Sequence, residues 1–407
     1  MKKQQAKLGL YLKNSLLLCA GMLLIAACSA DDLGDYRREI GPGITNYGER
    51  NADLLKQKMI QLAQGGNQVL TVTQFGDSHS AADFFTGGLR DHLQSRLGNA
   101  GIGWVTPMSV RGQRSAEVAW KSQRWDLASS RTVSDQPFAM GGYRATPNRV
   151  GATIDVLLEK PEQYQGLWDA RLVVQAPNSE AFAISNDRGR LNLENALVGN
   201  GSWKQLRIRT AMPFRIEALE RNVALGGLWL QRSGQPGAIV SSIATNGAQL
   251  SIWDRWSPEW VAELAATQSD LVILEYGTNE AFNDTLDRED YKRQLLTSIR
   301  TIRQQLPNAA ILLMSPPDAL MQNKQGSCSD KYPPSYEMVK AVQLSVAKSE
   351  RLLYWDWQKA MGGRCSIEKW QKETLAGRDK VHLSAAGYRL SAKMFYKDLM
   401  QFAGLRH

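Results

Sequence analysis

The stretch Val69-Leu70-Thr71-Val72-Thr73-Gln74-Phe75-Gly76-Asp77-Ser78-His79-Ser80 decides the fold class of this chain. Residues 69–73 are rich in β-branched side chains and follow turn-forming glycines, which predicts a buried strand. Apolar side chains then recur at helical spacing over residues 81–97, which predicts a helix. Ser78 therefore stands where a strand ends and a helix begins. In an open α/β sheet, that edge is where ligands bind.

Ser78 has two interpretations at this point. Backbone N–H groups at the start of a helix favour negative charge, and a serine placed there is a candidate nucleophile. Equally, Asp77 or Ser78 could simply cap the helix. This stretch alone leaves both interpretations open.

The first 27 residues are typical of an export signal and not of the fold. Four lysines and no acidic residue precede an apolar run at residues 16–27, which is too short to span a bilayer comfortably. The end of the run, Leu24-Ile25-Ala26-Ala27-Cys28, resembles a bacterial lipoprotein signal. This resemblance implies lipidation of Cys28, and Ser29 implies sorting to the outer membrane, on the periplasmic face of a Gram-negative envelope. The alternative is an ordinary signal or an inner-membrane anchor.

The charge of the chain excludes few partners. The formal net charge of +9 falls to +5 once the four lysines of the signal are removed. This mild excess is spread without basic runs, so it is compatible with an anionic polymer such as cell wall and does not favour nucleic acid.

Cysteine and histidine are few, with four of each. None are paired at the short spacings of metal ligands, so we expect no metal and no cofactor. Cys19 and Cys28 belong to the signal. Cys328 and Cys365 remain, and they form either a disulfide in an oxidising compartment or two free buried thiols.

The remaining chain has two kinds of pattern. A tether and one helix occupy residues 28–65, and α/β alternation follows over residues 66–113 and again over 236–407. The strands of these parts have the pattern of strands buried on both faces and alternate with helices, which favours a parallel sheet covered by helices in three layers. Between them, residues 114–235 contain short alternating segments separated by turns, which predicts an inserted, jelly-roll-like β-sandwich.

Tryptophans are frequent in the predicted insertion, and they either pack its core or stack on sugars. The five are Trp120, Trp125, Trp168, Trp203 and Trp229.

Histidine, oriented by a carboxylate, is the usual base for a serine nucleophile. His79 adjoins the serine and would have to turn back on it, His92 lies several turns along the predicted helix, and His407 is terminal. His382 remains, and Asp379 stands three residues before it. On one turn this spacing lets the carboxylate reach the imidazole N–H. A purely structural Asp–His turn is the alternative.

Attack on an ester also needs donors aimed at the oxyanion. Two further predicted strands end at Asn246-Gly247 and at Gly277-Thr278-Asn279-Glu280. The candidate donors are the backbone N–H groups of Ser78 and Gly247 and the side-chain amide of Asn279. A glycine lets the backbone approach a substrate closely, whereas Asn279 could also be a turn residue.

Together and in this order, four blocks resemble those of the SGNH (GDSL-like) hydrolase family. They are Gly76-Asp77-Ser78-His79, Asn246-Gly247-Ala248, Gly277-Thr278-Asn279-Glu280 and Asp379-Lys380-Val381-His382-Leu383-Ser384. The resemblance covers the mature chain outside the insertion and implies an SGNH-type three-layer fold.

Carried over residue by residue, the resemblance implies Ser78 as the nucleophile, His382 as the base and Asp379 as its partner. The N–H groups of Ser78 and Gly247 and the amide of Asn279 would form the oxyanion hole. The sequence departs from the family pattern at two positions: His79 replaces the leucine common after the serine, and Glu280 stands where aspartate often follows the asparagine.

With a β-sandwich inserted between the first two blocks, the pattern resembles bacterial peptidoglycan O-acetylesterases, whose insertion is similar to a carbohydrate-binding module. That resemblance implies hydrolysis of the acetyl ester on the C6 oxygen of N-acetylmuramic acid, through an acetyl-serine and without a metal. Two alternatives stay open. One is an O-acetyltransferase or an acetylesterase that acts on another exported polysaccharide. The other is a non-catalytic, cell-wall-binding lipoprotein.

Overall fold

Strands make up two separate β-systems in this protein. The computed structural model describes residues 43–191, 193 and 201–406, so the predicted signal, Cys28 and the tether up to residue 42 lie outside the described residues. The strands in chain order are β1 (Ile44–Asn46), β2 (Val69–Gly76), β3 (Gly101–Val105), β4 (Val118–Gln123), β5 (Trp125–Ser129), β6 (Tyr143–Pro147), β7 (Ala152–Leu158), β8 (Trp168–Gln175), β9 (Phe182–Asn186), β10 (Gly189–Arg190), β11 (Lys204–Thr210), β12 (Phe214–Ala218), β13 (Ala224–Arg232), β14 (Gly237–Ala244), β15 (Leu271–Glu275), β16 (Ala310–Met314) and β17 (Leu353–Trp355).

The α-helices of the described residues all lie outside the predicted insertion. They are α1 (Ala52–Ala63), α2 (Ser78–Ala81), α3 (Phe85–Leu97), α4 (Trp260–Ala266), α5 (Thr278–Ala281), α6 (Arg288–Gln305), α7 (Tyr336–Ser349), α8 (Trp357–Ala360), α9 (Ser366–Lys372) and α10 (Ala385–Phe402). Over the described part of the chain, none of them is both long and apolar enough to cross a membrane.

The central sheet has the strand order β1-β17-β16-β15-β2-β14. Only β1 runs antiparallel to its neighbour, and the other five strands are parallel. Every residue of β15 and β16 is buried, as expected for strands covered by helices on both faces. One helical layer contains α1, α3 and α10, and the other contains α6 and α7. The predicted three-layer parallel α/β fold is therefore confirmed.

The inserted region forms a β-sandwich of two antiparallel sheets. One sheet has the order β10-β9-β12-β7-β4 and the other β11-β8-β13-β6-β5, with β3 added alongside β13. Inward-facing side chains of both sheets make one hydrophobic core. Among the five tryptophans singled out above, Trp120 is half-buried against this core and the other four are buried. Core packing is therefore the main role of this set.

The seam between the two regions begins earlier than the predicted boundary at residue 114. Residues 101–105 were placed in the α/β part without a predicted strand, but they form β3, which pairs with β13 of the sandwich and also lies over β14 of the central sheet. The backbone N–H of Trp104 donates to Ser241 Oγ at 3.0 Å. A Cβ on Gly103 would come within 1.9 Å of the same hydroxyl oxygen, so only glycine permits this close approach.

The helix predicted over residues 81–97 is also broken in the structure. It begins at Phe85, and the residue that breaks it is Asp83, with φ 51°. The buried carboxylate of Asp83 accepts two hydrogen bonds from the Arg90 guanidinium, both at 3.1 Å, and one from the Ala116 N–H at 2.9 Å. This buried pair joins α3 to the start of the sandwich, which explains why the chain leaves the helical conformation here.

Candidate active site

Three parallel strands end side by side at the candidate site. Gly76, the last residue of β2, is aligned with Ala244 of β14 and with Glu275 of β15. A Cβ at Gly76 would lie within 2.5 Å of the Glu275 carboxylate, so the glycine lets the strand ends close together. The sequence blocks that follow these strands therefore meet at one edge of the sheet.

Ser78 opens the short helix α2, but it is Asp77 that caps it. The Asp77 carboxylate accepts a hydrogen bond from the His79 N–H at 2.9 Å. The Ser78 hydroxyl is left free of a capping role, and its Oγ lies 2.9 Å from His382 Nε2. Capping and a candidate nucleophile therefore coexist in this turn, on adjacent residues.

His382 also contacts a carboxylate through its other ring nitrogen. Its Nδ1 lies 2.7 Å from Asp379 Oδ2, and Asp379 Oδ1 accepts the N–H groups of Val381 and His382, each at 3.1 Å. A proton on Nδ1 donated to the carboxylate leaves Nε2 as an acceptor for the Ser78 hydroxyl. Partial burial alone would raise the pKa of Asp379, but these hydrogen bonds outweigh it and hold the pKa below its ordinary value.

The rim loop, residues 375–384, carries this Asp–His pair and is fixed by bonds at both ends. The Gly377 N–H donates to the His382 carbonyl at 2.7 Å, and the Ser384 N–H donates to the Leu375 carbonyl at 2.9 Å. Lys380 forms an ion pair with Glu368 of α9 at 2.9 Å. The loop is thus held in place although its reactive side chains face solvent.

Cys328 and Cys365 form a disulfide in the structure. It ties the segment after β16 to the start of α9. The same segment reaches the rim loop, because the Leu320 N–H donates to the Lys380 carbonyl at 2.9 Å. The disulfide therefore supports the side of the site from which His382 projects.

The three predicted oxyanion donors converge at this edge, but they differ in availability. The backbone N–H groups of Ser78 and Gly247 donate to no backbone acceptor in the part of the chain that the structure describes. The Asn279 amide donates to Ala248 O at 2.9 Å and to Asp77 Oδ2 at 3.2 Å. Asn279 must therefore share or release one of these bonds to reach an oxyanion.

Sequence reasoning missed the buried floor, which we define as Asp77, His79, Glu275 and Glu280. All four side chains are buried. Burial raises the pKa of Asp77 to about 8 and that of Glu280 to about 7. Burial also raises the pKa of Glu275 well above its ordinary value, with the charge of Asp77 adding to the rise. The signal in the sequence was a glutamate that ends a wholly apolar strand.

Glu280 connects its own sequence block to the segment that follows the Asn246-Gly247-Ala248 block through its carboxylate. It accepts the Leu250 N–H at 2.7 Å and the Gly277 N–H at 3.0 Å. Glutamate is long enough to make both bonds, which gives a structural role to this departure from the family pattern.

His79 does not contact Ser78 as a base would. Its Nδ1 lies 2.9 Å from the Tyr388 hydroxyl, and its ring is 5.4 Å from that of His382. Burial, and next the charge of His382, lower the pKa of His79 to about 3, so this ring is neutral at physiological pH. Over the described residues, no group of three or more His, Cys, Asp or Glu side chains is placed to hold a metal ion.

Comparison with known proteins was made on sequence and on structure. A family model described as "Peptidoglycan O-acetylesterase, N-terminal" matches residues 100–215, and the model of the GDSL-like Lipase/Acylhydrolase family matches residues 217–390. Among curated proteins, no relative matches this chain.

Among solved structures, one titled "Peptidoglycan O-acetylesterase in action, 5 min" has 33% sequence identity and a TM-score of 0.80, and the match covers 89% of this chain and 99% of that one. More distant likenesses include a GDSL-like lipase from Parabacteroides merdae, with 19% identity, a TM-score of 0.32 and coverage of 42% and 74%. A family two carbohydrate esterase from Cellvibrio japonicus has 12% identity, a TM-score of 0.28 and coverage of 70% and 99%.

Proposed function

The chain belongs to the family of peptidoglycan O-acetylesterases, and we propose that it removes the acetyl group from the C6 oxygen of N-acetylmuramic acid in peptidoglycan. It is a carboxylic ester hydrolase with a GDSL-like domain, as the sequence blocks predicted. The observation that carries the proposal is the chain of contacts from Ser78 through His382 to Asp379 at the sheet edge.

The proposed reaction has two displacements. Ser78 Oγ attacks the acetyl carbonyl carbon while its proton passes to His382 Nε2. The oxyanion that forms is held by the N–H groups of Ser78 and Gly247 and by the Asn279 amide. The bond between the acyl carbon and the C6 oxygen breaks, that oxygen takes the proton from His382 and leaves as the sugar hydroxyl, and an acetyl-serine remains.

Water completes the cycle. His382 removes a proton from a water molecule, which attacks the acetyl-serine carbonyl through a second tetrahedral oxyanion. Collapse of that intermediate breaks the bond to Ser78 Oγ, returns the proton to the serine and releases acetate. Asp379 accepts the Nδ1–H throughout, and so keeps Nε2 directed at the serine.

The decisive measurement is acetate release from O-acetylated peptidoglycan by the wild type and by Ser78→Ala. We expect release by the wild type and a fall of roughly 10³-fold or more in the variant. Ser349→Ala, at the C-terminal end of α7 and away from this edge of the sheet, is the matched control. Near-normal release by Ser78→Ala would overturn the assignment of the nucleophile.

A small acetyl ester in the same assay separates the alternatives. Turnover of the small ester without release from peptidoglycan favours an O-acetyltransferase or an esterase of another exported polysaccharide. Binding to peptidoglycan without turnover of either substrate favours a non-catalytic wall-binding protein.

The β-sandwich is proposed to bind the glycan. Support comes from Trp120, which is only half-buried. The other four tryptophans of the insertion are buried by packing. Sedimentation of the Ser78→Ala chain with insoluble peptidoglycan, with and without Trp120→Ala, tests this role. Equal sedimentation of both would remove Trp120 from the proposal.

The proposed anchor is a lipid on Cys28, at the periplasmic face of the outer membrane. Its support is the sequence Leu24-Ile25-Ala26-Ala27-Cys28-Ser29 alone. Metabolic labelling with palmitate is expected to mark the wild type but not Cys28→Ala. Fractionation of the two membranes then tests the location, and a labelled protein in the inner membrane would contradict outer-membrane sorting.

A further inference from the structure

One guanidinium group from the sandwich lies directly against the oxyanion loop. Arg131 belongs to the connection between β5 and β6, and it is exposed. A Cβ added to Gly247 would come within 2.6 Å of Arg131 Nη2 and 2.9 Å of its Nε. The guanidinium therefore covers the Gly247 Cα, next to the N–H that the proposed mechanism uses.

The connection that carries Arg131 is fixed to the α/β part of the protein. Arg255 donates one hydrogen bond to the Ser130 carbonyl at 2.7 Å and another to the Arg131 carbonyl at 3.1 Å. The Ser130 N–H donates to the Gly142 carbonyl at 2.8 Å, and Ser130 is fully buried. The position of Arg131 is thus built by both regions together.

The guanidinium itself has no hydrogen-bond acceptor or ion-pair partner among the residues that the structure describes, although the Arg131 backbone is bonded. Two further exposed arginines lie over the ring of Phe84. Arg114 and Arg389 lie 4.8 and 5.6 Å from its ring, and that ring stacks on Tyr388, the partner of His79. Among the described residues, Arg131 is therefore a cation against the oxyanion loop with no acid paired to it.

We propose that Arg131 is a substrate-binding residue that pairs with a carboxylate of the substrate beside the scissile acetyl ester. A planar guanidinium presents several N–H donors to a carboxylate, and such charge-assisted pairs are strong and directional. The inference rests on the proposed function and deepens it. The protein would select muramyl glycan over neutral acetylated glycan because only the former bears carboxylates.

Two sources of the carboxylate share this chemistry. One is the lactyl group of muramic acid, which is free when the peptide is absent, and the other is the peptide itself. Acetate release from O-acetylated peptidoglycan before and after amidase treatment distinguishes them. Loss of the Arg131 effect after treatment indicates the peptide, whereas its appearance or increase after treatment indicates the lactyl group.

The test compares Arg131→Gln with the wild type on peptidoglycan, on neutral O-acetylated chitooligosaccharide and on a small acetyl ester. We expect kcat/KM on peptidoglycan to fall about 10- to 100-fold, mainly through KM, as for loss of a hydrogen bond to a charged group. Both neutral esters should change less than about twofold. Arg131→Lys should restore part of the loss.

Arg149→Gln is the matched control, because Arg149 is exposed and follows β6 at the end away from Tyr143. An equal fall on all three substrates would overturn the proposal, since it would place Arg131 in oxyanion stabilisation or in folding. An unchanged rate on peptidoglycan both before and after amidase treatment would also overturn it. A wild type without activity on peptidoglycan but active on the neutral esters would instead overturn the proposed function, and this inference with it.

Discussion

The rim loop and the buried floor place similar side chains in opposite environments. In the rim loop, the side chains of Asp379 and His382 are 49% and 46% exposed. In the floor, Asp77 and His79 are fully buried, only one residue to either side of Ser78. The rim-loop groups, which are proposed to move protons, are in contact with solvent. The floor groups, which hold the strand ends, are buried. Substitutions in the rim loop should therefore change mainly the reaction rate, and substitutions in the floor should change mainly the free energy of unfolding.

The largest expected effect is on the rim. His382→Ala should lower kcat on a small acetyl ester by roughly 10³- to 10⁴-fold, since the serine would lose the base that we propose for it. The free energy of unfolding should change by less than about 0.5 kcal/mol, because the side chain is half-exposed. Kinetics together with denaturant unfolding measure both quantities.

His92→Ala serves as the control, because His92 packs on Tyr396 of α10 and not on the serine. If His382→Ala lost stability in step with activity, the division between rim and floor would be wrong.

Removal of the disulfide tests what holds the rim. Replacing Cys328 and Cys365 by serine opens a loop with a sequence separation of 37 residues. Chain entropy predicts a loss of about 4 kcal/mol in stability at 25 °C. Thermal unfolding of this variant, beside wild type treated with reductant, measures the loss. If reductant also lowers the melting temperature of the double variant, which has no disulfide, the effect of reductant on the wild type has another cause.

Asp379→Asn should have a smaller effect than loss of the base. The variant keeps an oxygen for the backbone N–H groups of Val381 and His382, but it loses the carboxylate charge beside Nδ1. We expect kcat to fall roughly 10²-fold, because the imidazolium is less stabilised. A fall larger than that of His382→Ala would show that Asp379 mainly maintains the loop.

The smallest effect concerns the floor and depends on pH. The pKa of His79 is about 3 in the folded state, whereas its ordinary value is 6.5. Between these two pH values, the unfolded chain therefore carries a proton on His79 that the folded protein does not. Stability from this group is complete above pH 6.5 and is lost as the pH falls towards 3. At pH 5 the loss is about 2 kcal/mol, and His79→Leu should abolish it.

Denaturant unfolding of wild type and His79→Leu at pH 7.5 and pH 5 gives this difference. The comparison between variants is needed because the buried acids act in the opposite direction. The folded state keeps protons on Asp77 and Glu280 up to about pH 8 and 7, so their contribution to stability falls as the pH rises. An identical pH dependence in the two proteins would mean that His79 is protonated in the fold.

Much of the site could be predicted from the sequence because its blocks follow strands that read clearly as buried. Strands β2, β14 and β15 are rich in apolar and β-branched residues and lead into Gly-Asp-Ser, Asn-Gly and Gly-Thr-Asn, and parallel pairing brings such ends together. Strand β3 was missed because its two glycines are typical of a loop. At Gly103, however, glycine is required because β3 lies so close to β14 that a Cβ would clash with Ser241.

The remaining features depend on contacts between distant segments. The break at Asp83 follows from its hydrogen bonds with Arg90 and with Ala116 across the seam. The position of Arg131 over Gly247 depends on the hydrogen bonds that Arg255 donates to the backbone beside it. Such pairs cannot be predicted from periodicity or spacing, because each residue alone has the local sequence context of an ordinary surface or helix residue.

The strand order of the central sheet has a consequence for how this chain matures. Strand β2 is synthesised before either of its partners: β14 begins at Gly237, after the whole sandwich, and β15 comes later still. Until they emerge, the strand segment at residues 69–76 presents two open edges, which are sites for association with other chains. The nascent polypeptide therefore depends on being shielded during synthesis, and a slow or interrupted translation of the sandwich should increase its aggregation.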